Sequence, residues 1–163
     1  MRSYVVSALL VAFVAVSAPS VVFAQTPQAL TRWAGIWSLN LAKSKYEPGP
    51  APQRSTLRME VSEGGLKTVN DTVVQAGTPT FTEVLAKFDG TDREVTNVAT
   101  PTTRVYKWVN DTTQEWVTKV MGRATTTTRA VMSADGKVLT LTTTGMNAAG
   151  TRVNNVQIFE RQP

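Results

Sequence analysis

The side chains that could do chemistry in this chain are carboxylates, cations and aromatic rings, because its 163 residues include neither cysteine nor histidine. Thiol nucleophiles, histidine-based triads and nearly every zinc, copper or haem site are therefore excluded. Paired carboxylates could supply an acid and a base, as in glycosidases, and the candidates are Glu83, Glu94, Glu115 and Glu160. Nothing in the sequence pairs them, and each stands in a strand-like pattern that is typical of a solvated face. We therefore predict a non-catalytic protein with no metal and no cofactor.

Three aromatic residues on adjacent predicted strands are candidates for the wall of a binding cavity. Tyr106 and Trp108 share a strand face because side chains alternate along a strand, and Trp116 lies on the next predicted strand. Such residues could line an apolar cavity, or they could equally fill a barrel that has no cavity.

Arg129 is the candidate for a charged contact with a ligand. It shares a strand face with Thr127 and Val131, opposite Thr128 and Ala130. If that face points inward, Arg129 is a ligand anchor or a buried structural charge. If it points outward, Arg129 is a solvated surface residue, and the sequence leaves both possibilities open.

The elements that must position these residues have the pattern of β-strands. The chain after residue 24 contains 25 threonines, and threonine, valine and aromatic residues favour pleated, half-buried surfaces. Turn signals such as Gly64-Gly65, Asp89-Gly90 and Asp135-Gly136 recur at short intervals. The predicted strands are Ile36–Asn40, Ser55–Ser62, Leu66–Val74, Thr80–Phe88, Arg93–Asn97, Arg104–Val109, Gln114–Val120, Thr125–Met132, Val138–Thr144 and Asn154–Arg161. This pattern favours an all-β fold, a single antiparallel β-barrel of about nine or ten strands, because closure removes exposed sheet edges.

The N-terminus has the three-part layout of a secretory signal peptide. Arg2 precedes an apolar run from Val5 to Val16, and Val22-Phe23-Ala24 places small residues before a cleavage site at Gln25. A permanent membrane anchor is the alternative. The apolar run is shorter than the about 20 residues that a spanning helix needs, and Pro19 interrupts it.

This layout divides the chain into a signal peptide over residues 1–24, a short extension over 25–32 and a β-barrel domain over 33–163. The protein is then exported, periplasmic or secreted, with no integral membrane segment after cleavage. An outer-membrane barrel needs an apolar lipid-facing row on every strand, whereas Thr125–Thr128 and Thr142–Thr144 place threonine on both faces.

The formal charge of +5 is spread along the chain. Nucleic acid is therefore not an expected partner, because it would require a basic patch.

The first predicted strand opens with Gly35-Ile36-Trp37, and four later segments follow it in a particular order. Those segments are Phe88–Val95, Thr125–Arg129, Gly136–Thr140 and Ile158–Arg161. Together they resemble the calycins, the superfamily of lipocalins and fatty-acid-binding proteins, and most closely the fatty-acid-binding branch. The resemblance implies a ligand-carrying barrel. It also implies that Trp37 plugs one barrel end beside Gly35 and packs against a basic side chain of the last strand, here Arg161, in a cation–π contact.

The same resemblance implies a polar subsite that this sequence alters. Many fatty-acid-binding proteins hold a carboxylate with two arginines and one tyrosine. Here Arg129 matches one arginine, while Gln157 and Phe159 replace the Arg-x-Tyr pair of the last strand. A buried carboxylate needs paired donors, so Gln157 is better suited to a neutral alcohol or carbonyl oxygen. The interval Leu41–Arg54 is short and rich in proline, and we expect no two-helix lid there.

The segment from Trp37 to Pro52 resembles the opening of a group of uncharacterised exported bacterial proteins, and that resemblance implies no activity. We predict a non-catalytic carrier of a small, mainly apolar molecule. The predicted ligand contacts are Arg129, Gln157, Phe159, Tyr106, Trp108 and Trp116. The alternative is a protein-interaction or envelope-associated domain with a filled barrel and no small ligand, for which the sequence identifies no partner.

Overall fold

The computed structural model describes residues 27–163, so the predicted signal peptide lies outside the described residues. The strands are β1 (Gly35–Leu39), β2 (Arg54–Ser62), β3 (Gly65–Val73), β4 (Pro79–Ala86), β5 (Arg93–Glu94), β6 (Thr102–Asn110), β7 (Thr113–Val120), β8 (Arg123–Met132), β9 (Val138–Met146) and β10 (Arg152–Arg161). A helix, α1 (Pro27–Trp33), precedes β1, and a short 3-10 turn, Leu41–Lys43, follows it. Within the described part of the chain, no helix is long and apolar enough to span a bilayer.

All ten strands belong to one antiparallel sheet that curls into a nearly closed barrel. Neighbouring strands follow the order β4-β3-β2-β1-β10-β9-β8-β7-β6-β5, an up-and-down arrangement. The two edges meet at one bridge, where the Thr96 amide donates to the Glu83 carbonyl at 2.9 Å. The predicted all-β antiparallel barrel is thus confirmed.

The position between β2 and β10 is filled by two successive pieces of chain. β1 pairs with the C-terminal part of β10. Beyond the turn Leu41–Lys43, the Lys45 amide donates to the Val156 carbonyl at 2.7 Å and the Val156 amide donates back at 2.8 Å. The proline-rich interval therefore extends the sheet along β10.

The inward-facing side chains change character along the barrel axis. On β10 the inward row runs from Phe159 through Gln157 to Asn155, from apolar to polar. We call the apolar end the floor and the polar end the cup. The floor consists of Trp33, Trp37, Leu66, Trp108, Met132, Leu139 and Phe159. The cup consists of Ser55, Thr68, Asn70, Thr82, Arg104, Thr118, Thr126, Thr128, Thr143, Asn155 and Gln157.

Helix α1 closes the floor. Ala29, Leu30 and Trp33 are 3, 5 and 0 % exposed, and Trp33 Nε1 donates to the Asp111 carbonyl at 3.2 Å. The domain boundary that we expected at residue 33 falls on the last residue of this helix, so the packed domain includes α1. A helix of this length is too short to show a periodic stripe, and tertiary packing rather than propensity stabilises it.

Strand β5 is shorter than its predicted span of Arg93–Asn97. Only Arg93–Glu94 form the strand, and Asn97 has a φ of 60°, a left-handed conformation that strands do not adopt. The backbone turns there, and Thr96 instead reaches across to β4.

Candidate ligand cavity

A cavity of about 300 Å³ lies inside the cup. The polar part of its lining is formed by Thr68, Asn70, Thr82, Arg104, Gln114, Thr118, Thr126, Thr128, Thr143, Asn155 and Gln157. The remaining wall is formed by Leu57, Met59, Val84, Tyr106, Trp116, Ala130 and Leu141. Hydroxyl and amide groups can both donate and accept hydrogen bonds. The cavity therefore suits a molecule with polar groups at several points on its surface.

Part of the cup is already hydrogen-bonded within the protein. The hydroxyls of Ser55 and Thr72 donate to Asn70 Oδ1 at 2.9 and 3.0 Å. The hydroxyls of Thr128 and Thr143 lie 2.9 Å apart across β8 and β9. Buried polar groups that satisfy one another are rigid, so these contacts give the cup wall a defined shape.

Gln157, one of the predicted polar contacts, lines the cavity. Its Nε2 donates to the Tyr46 hydroxyl at 2.9 Å, and Tyr46 belongs to the proline-rich interval beside β10. Burial raises the pKa of Tyr46, and the hydrogen bond from Gln157 opposes that shift. Tyr46 is thus a neutral hydroxyl at physiological pH, and it holds the Gln157 amide at the cavity wall.

The predicted aromatic wall is divided between the cup and the floor. Tyr106 and Trp116 line the cavity, with ring centroids 5.6 Å apart. Trp108 packs edge-on against Trp33 at 6.0 Å, and Phe159 is 1 % exposed in the floor. Two of the predicted aromatic contacts therefore border the cavity, and the other two fill the barrel below it.

Arg104 points inward from β6 and is a lining residue that the sequence analysis missed. Its Cζ lies 5.8 Å from the centroid of the Trp116 ring, within the range of a cation–π contact. Burial raises the pKa of the neighbouring Tyr106 phenol, and the charge of Arg104 opposes that shift. The signal that could have found Arg104 was strand parity, because it stands two residues before Tyr106 and shares its face.

Arg129 lies on the outer face of β8 and does not contact the cavity. Its neighbours Thr128 and Ala130 are buried inside the barrel, whereas Arg129 pairs with Glu115 and leaves 50 % of its side chain exposed. The prediction that Arg129 contacts a ligand inside the barrel is corrected accordingly. The alternation of side chains along the strand predicts which residues share a face with Arg129, but it does not predict whether that face points into the barrel.

The barrel end at the floor has the geometry that the resemblance implied for Trp37 and Arg161. The Arg161 Cζ lies 4.2 Å from the centroid of the fully buried Trp37 ring. Arg161 donates from Nε to the Gly136 carbonyl at 2.7 Å and from Nη1 to the Ala34 carbonyl at 2.5 Å. Gly35 has a φ of 136°, and a Cβ there would lie 2.7 Å from Arg161 Nη1. Glycine is therefore required for this close approach.

The four glutamates considered for acid–base chemistry do not line the cavity. Three of them form separate salt bridges: Glu83 with Lys67, Glu115 with Arg129 and Glu160 with Lys43. Glu94 is exposed. Among residues 27–163, no group of three or more acidic, cysteine or histidine side chains could hold a metal ion. The chemistry of the cup is therefore that of hydroxyls, amides, two aromatic rings and one guanidinium.

The fold and the cavity define an all-β, nearly closed antiparallel barrel with a buried aromatic cluster. A comparison with known protein families found no family model that matches the chain. A search of curated proteins found no match either. The cavity and its residues therefore carry the functional inference.

Proposed function

We propose that this protein is an exported, non-catalytic carrier of the calycin type that holds one small molecule in the cup. The observation that carries the proposal is the cavity of about 300 Å³ above a packed floor. Small-molecule sites have volumes of about 300–1,000 Å³, so this one suits a compact ligand. The interior of a barrel of about eight strands is either filled by side chains or can hold one such ligand.

The lining narrows the expected ligand from a mainly apolar molecule to a compact amphipathic one. Leu57, Leu141 and the Trp116 ring provide apolar contacts, whereas threonine hydroxyls and amide groups occupy most of the remaining wall. A long alkyl chain would desolvate those groups without replacing their hydrogen bonds, which is costly. A ring that carries several oxygens would match both parts of the wall.

Three further observations support the other parts of the proposal. The separation of the glutamates from the cavity supports a non-catalytic role, because acid–base chemistry needs such groups beside the substrate. The arrangement of Gly35, Trp37 and Arg161 supports a calycin relationship. Export is supported by the layout of residues 1–24, and cleavage after Ala24 would leave α1, and with it the floor, intact.

Native mass spectrometry of the chain, expressed from its full sequence in a bacterial host and purified in its exported form, tests the proposal. The wild-type protein is expected to carry a small-molecule adduct that disappears on denaturation. Thr126→Phe should remove the adduct, because Thr126 lines the cavity and a phenyl ring would occupy it. Thr127→Phe is the matched control, since Thr127 is exposed on the outer face of the same strand.

Two outcomes would overturn the carrier proposal: a bare mass for the wild-type protein, or an adduct that persists undiminished in Thr126→Phe. The same spectrum tests export, because cleavage after Ala24 removes a defined mass. A protein that retains residues 1–24 in every exported fraction would contradict the predicted signal peptide.

A protein-interaction role is the second candidate, favoured by two exposed methionines at the cup end of the barrel. Met121 and Met146 are 66 and 54 % exposed, and they border a surface depression of about 400 Å³. Methionine side chains adapt readily to partner surfaces. This role predicts a bare wild-type mass and a partner complex that is lost when both methionines are replaced by serine. A carrier would keep its adduct after the same replacements.

A further inference from the structure

We infer that the cup is an anion site, in which Arg104 holds a carboxylate group of the ligand. The inference rests on the proposed function, because it names the charge of the molecule that the cavity would carry. Among the described residues that line the cavity, Arg104 is the single charged one. The lining otherwise offers only neutral hydroxyls, amides and apolar groups.

The charge of Arg104 is not neutralised by the protein. None of the salt bridges among residues 27–163 involves Arg104, and its Nε is buried without a hydrogen-bond partner. A partly buried cation without a counter-ion is costly, and an unsatisfied buried donor adds to that cost. A bound anion would remove both penalties.

The residue opposite Arg104 supplies no counter-charge. Arg93 on β5 is the direct cross-strand partner of Arg104 on β6. Directly opposed residues extend from the same face of a sheet, and like charges there repel. Arg93 is paired with Asp89, so Arg104 remains the cation without a counter-charge.

The surroundings of Arg104 favour a compact, planar carboxylate. The guanidinium group matches a carboxylate in a bidentate pair. Tyr106 and Trp116 place two aromatic rings beside it, which favours a flat or aromatic ligand. This position on β6 differs from the last-strand position where Gln157 and Phe159 stand. The geometry therefore points to a short aromatic or unsaturated acid with additional oxygens.

Isothermal titration calorimetry with vanillate and vanillyl alcohol at neutral pH tests the anion site. The two probes share a ring and its oxygen substituents, and they differ in having a carboxylate or a neutral alcohol. Wild-type protein should bind vanillate more tightly. Arg104→Gln should weaken vanillate binding about tenfold or more, because a charge-assisted pair is lost, and should leave binding of the alcohol unchanged.

Two further variants serve as controls for the effect of Arg104→Gln. Arg104→Lys retains the charge without the bidentate fork, so it should bind vanillate with intermediate affinity. Arg129→Gln removes an exposed arginine from the outer face of β8 and should bind both probes as the wild type does. Circular dichroism should show all three variants folded, because Arg104 forms no salt bridge among residues 27–163 and Arg129 forms only an exposed surface pair.

The outcomes separate this inference from the carrier proposal. Equal affinity for the two probes, or unchanged vanillate binding in Arg104→Gln, would overturn the anion site and leave the carrier proposal standing. A neutral adduct in native mass spectrometry, with neither probe bound, would do the same. If neither probe binds and the mass is bare, both are overturned, whereas an acidic adduct lost in Arg104→Gln supports both.

Discussion

The floor and the cup share strands β3, β6, β8, β9 and β10, yet they enclose opposite kinds of interior. In the floor, Trp37 and Leu139 are both 0 % exposed, and Arg161 is satisfied by backbone carbonyls and by the Trp37 ring. In the cup, threonines and amides surround a cavity of about 300 Å³. There Arg104 keeps a buried Nε without a partner.

The two arginines differ in how far the protein itself satisfies their guanidinium groups. Arg161 at the floor is a partly buried cation whose three guanidinium nitrogens each donate to a backbone carbonyl, and such contacts rigidify the structure around it. Arg104 has a buried Nε without a hydrogen-bond partner, and this unused donor is the one that the proposed anion site would employ.

The largest expected effect comes from removing a floor residue. Trp37→Ala should lower the free energy of unfolding by about 3–5 kcal/mol, because a large buried ring leaves a cavity in a packed core. The substitution also removes the hydrogen bond from Trp37 Nε1 to the Trp33 carbonyl at 3.1 Å and uncovers Arg161. Urea unfolding followed by far-ultraviolet circular dichroism measures the loss.

Trp116→Ala is the matched comparison for the cup. Trp116 is half-buried and borders a cavity that already exists, so its truncation enlarges a space instead of creating one. Its cost should be about 1–2 kcal/mol. Equal losses for the two tryptophans would contradict the division of the barrel into a close-packed, stabilising floor and a cup that contributes less to stability.

An alkaline pH series tests Tyr106, which stands where the floor and the cup meet. An unfolded tyrosine ionises at about pH 10, whereas burial raises the pKa of Tyr106 in the folded protein. The stability that this shift contributes is present below about pH 10 and is lost as the pH rises through the folded pKa. Above about pH 10 the unfolding free energy of Tyr106→Phe should therefore fall less steeply than that of the wild type.

The same urea titrations on Tyr46→Phe provide the control. Burial also raises the pKa of Tyr46, but this residue is only half-buried and lies beside β10, so its substitution should change the slope less. All other residues are shared by the three proteins, so differences between their slopes come from the substituted tyrosines. Identical slopes for the wild type and Tyr106→Phe would show that Tyr106 ionises alike in the folded and unfolded chains.

Most of the fold could be predicted because strand alternation and turn residues are local signals. The strand Thr125–Met132 was expected from its pattern, and β8 runs over Arg123–Met132. Helix α1 could not be predicted in the same way. Its seven residues are helical because Ala29, Leu30 and Trp33 pack against the floor, and that is a long-range interaction.

The cavity could be predicted only in part, because its position depends on which strand face is inward. Tyr106, Trp116 and Gln157 were expected at a ligand site, and all three line the cavity. Arg129 and Arg104 lie on opposite faces of the barrel wall. Closure of the barrel directs Arg104 inward and Arg129 outward. Parity with Tyr106 could have placed Arg104 on the inner face, whereas no local pattern placed Arg129 on the outer one.

The smallest expected effect comes from the hydrogen bond between Thr128 and Thr143 in the cup. Each hydroxyl is the other's partner at 2.9 Å. Thr128→Val or Thr143→Val alone should cost about 1 kcal/mol, because one hydroxyl loses its partner within the protein. Replacing both residues by valine should cost no more than either single change, since no unpaired group then remains.

A double-mutant cycle by urea unfolding measures this coupling. Strictly additive losses would show that the two hydroxyls do not depend on each other. Losses as large as that of Trp37→Ala would make Thr128 part of the stabilising core, and the distinction between floor and cup would fail. With the predicted small coupling, the double variant is a folded barrel whose cavity is more apolar, and its affinity for vanillate shows what the hydroxyls contribute to binding.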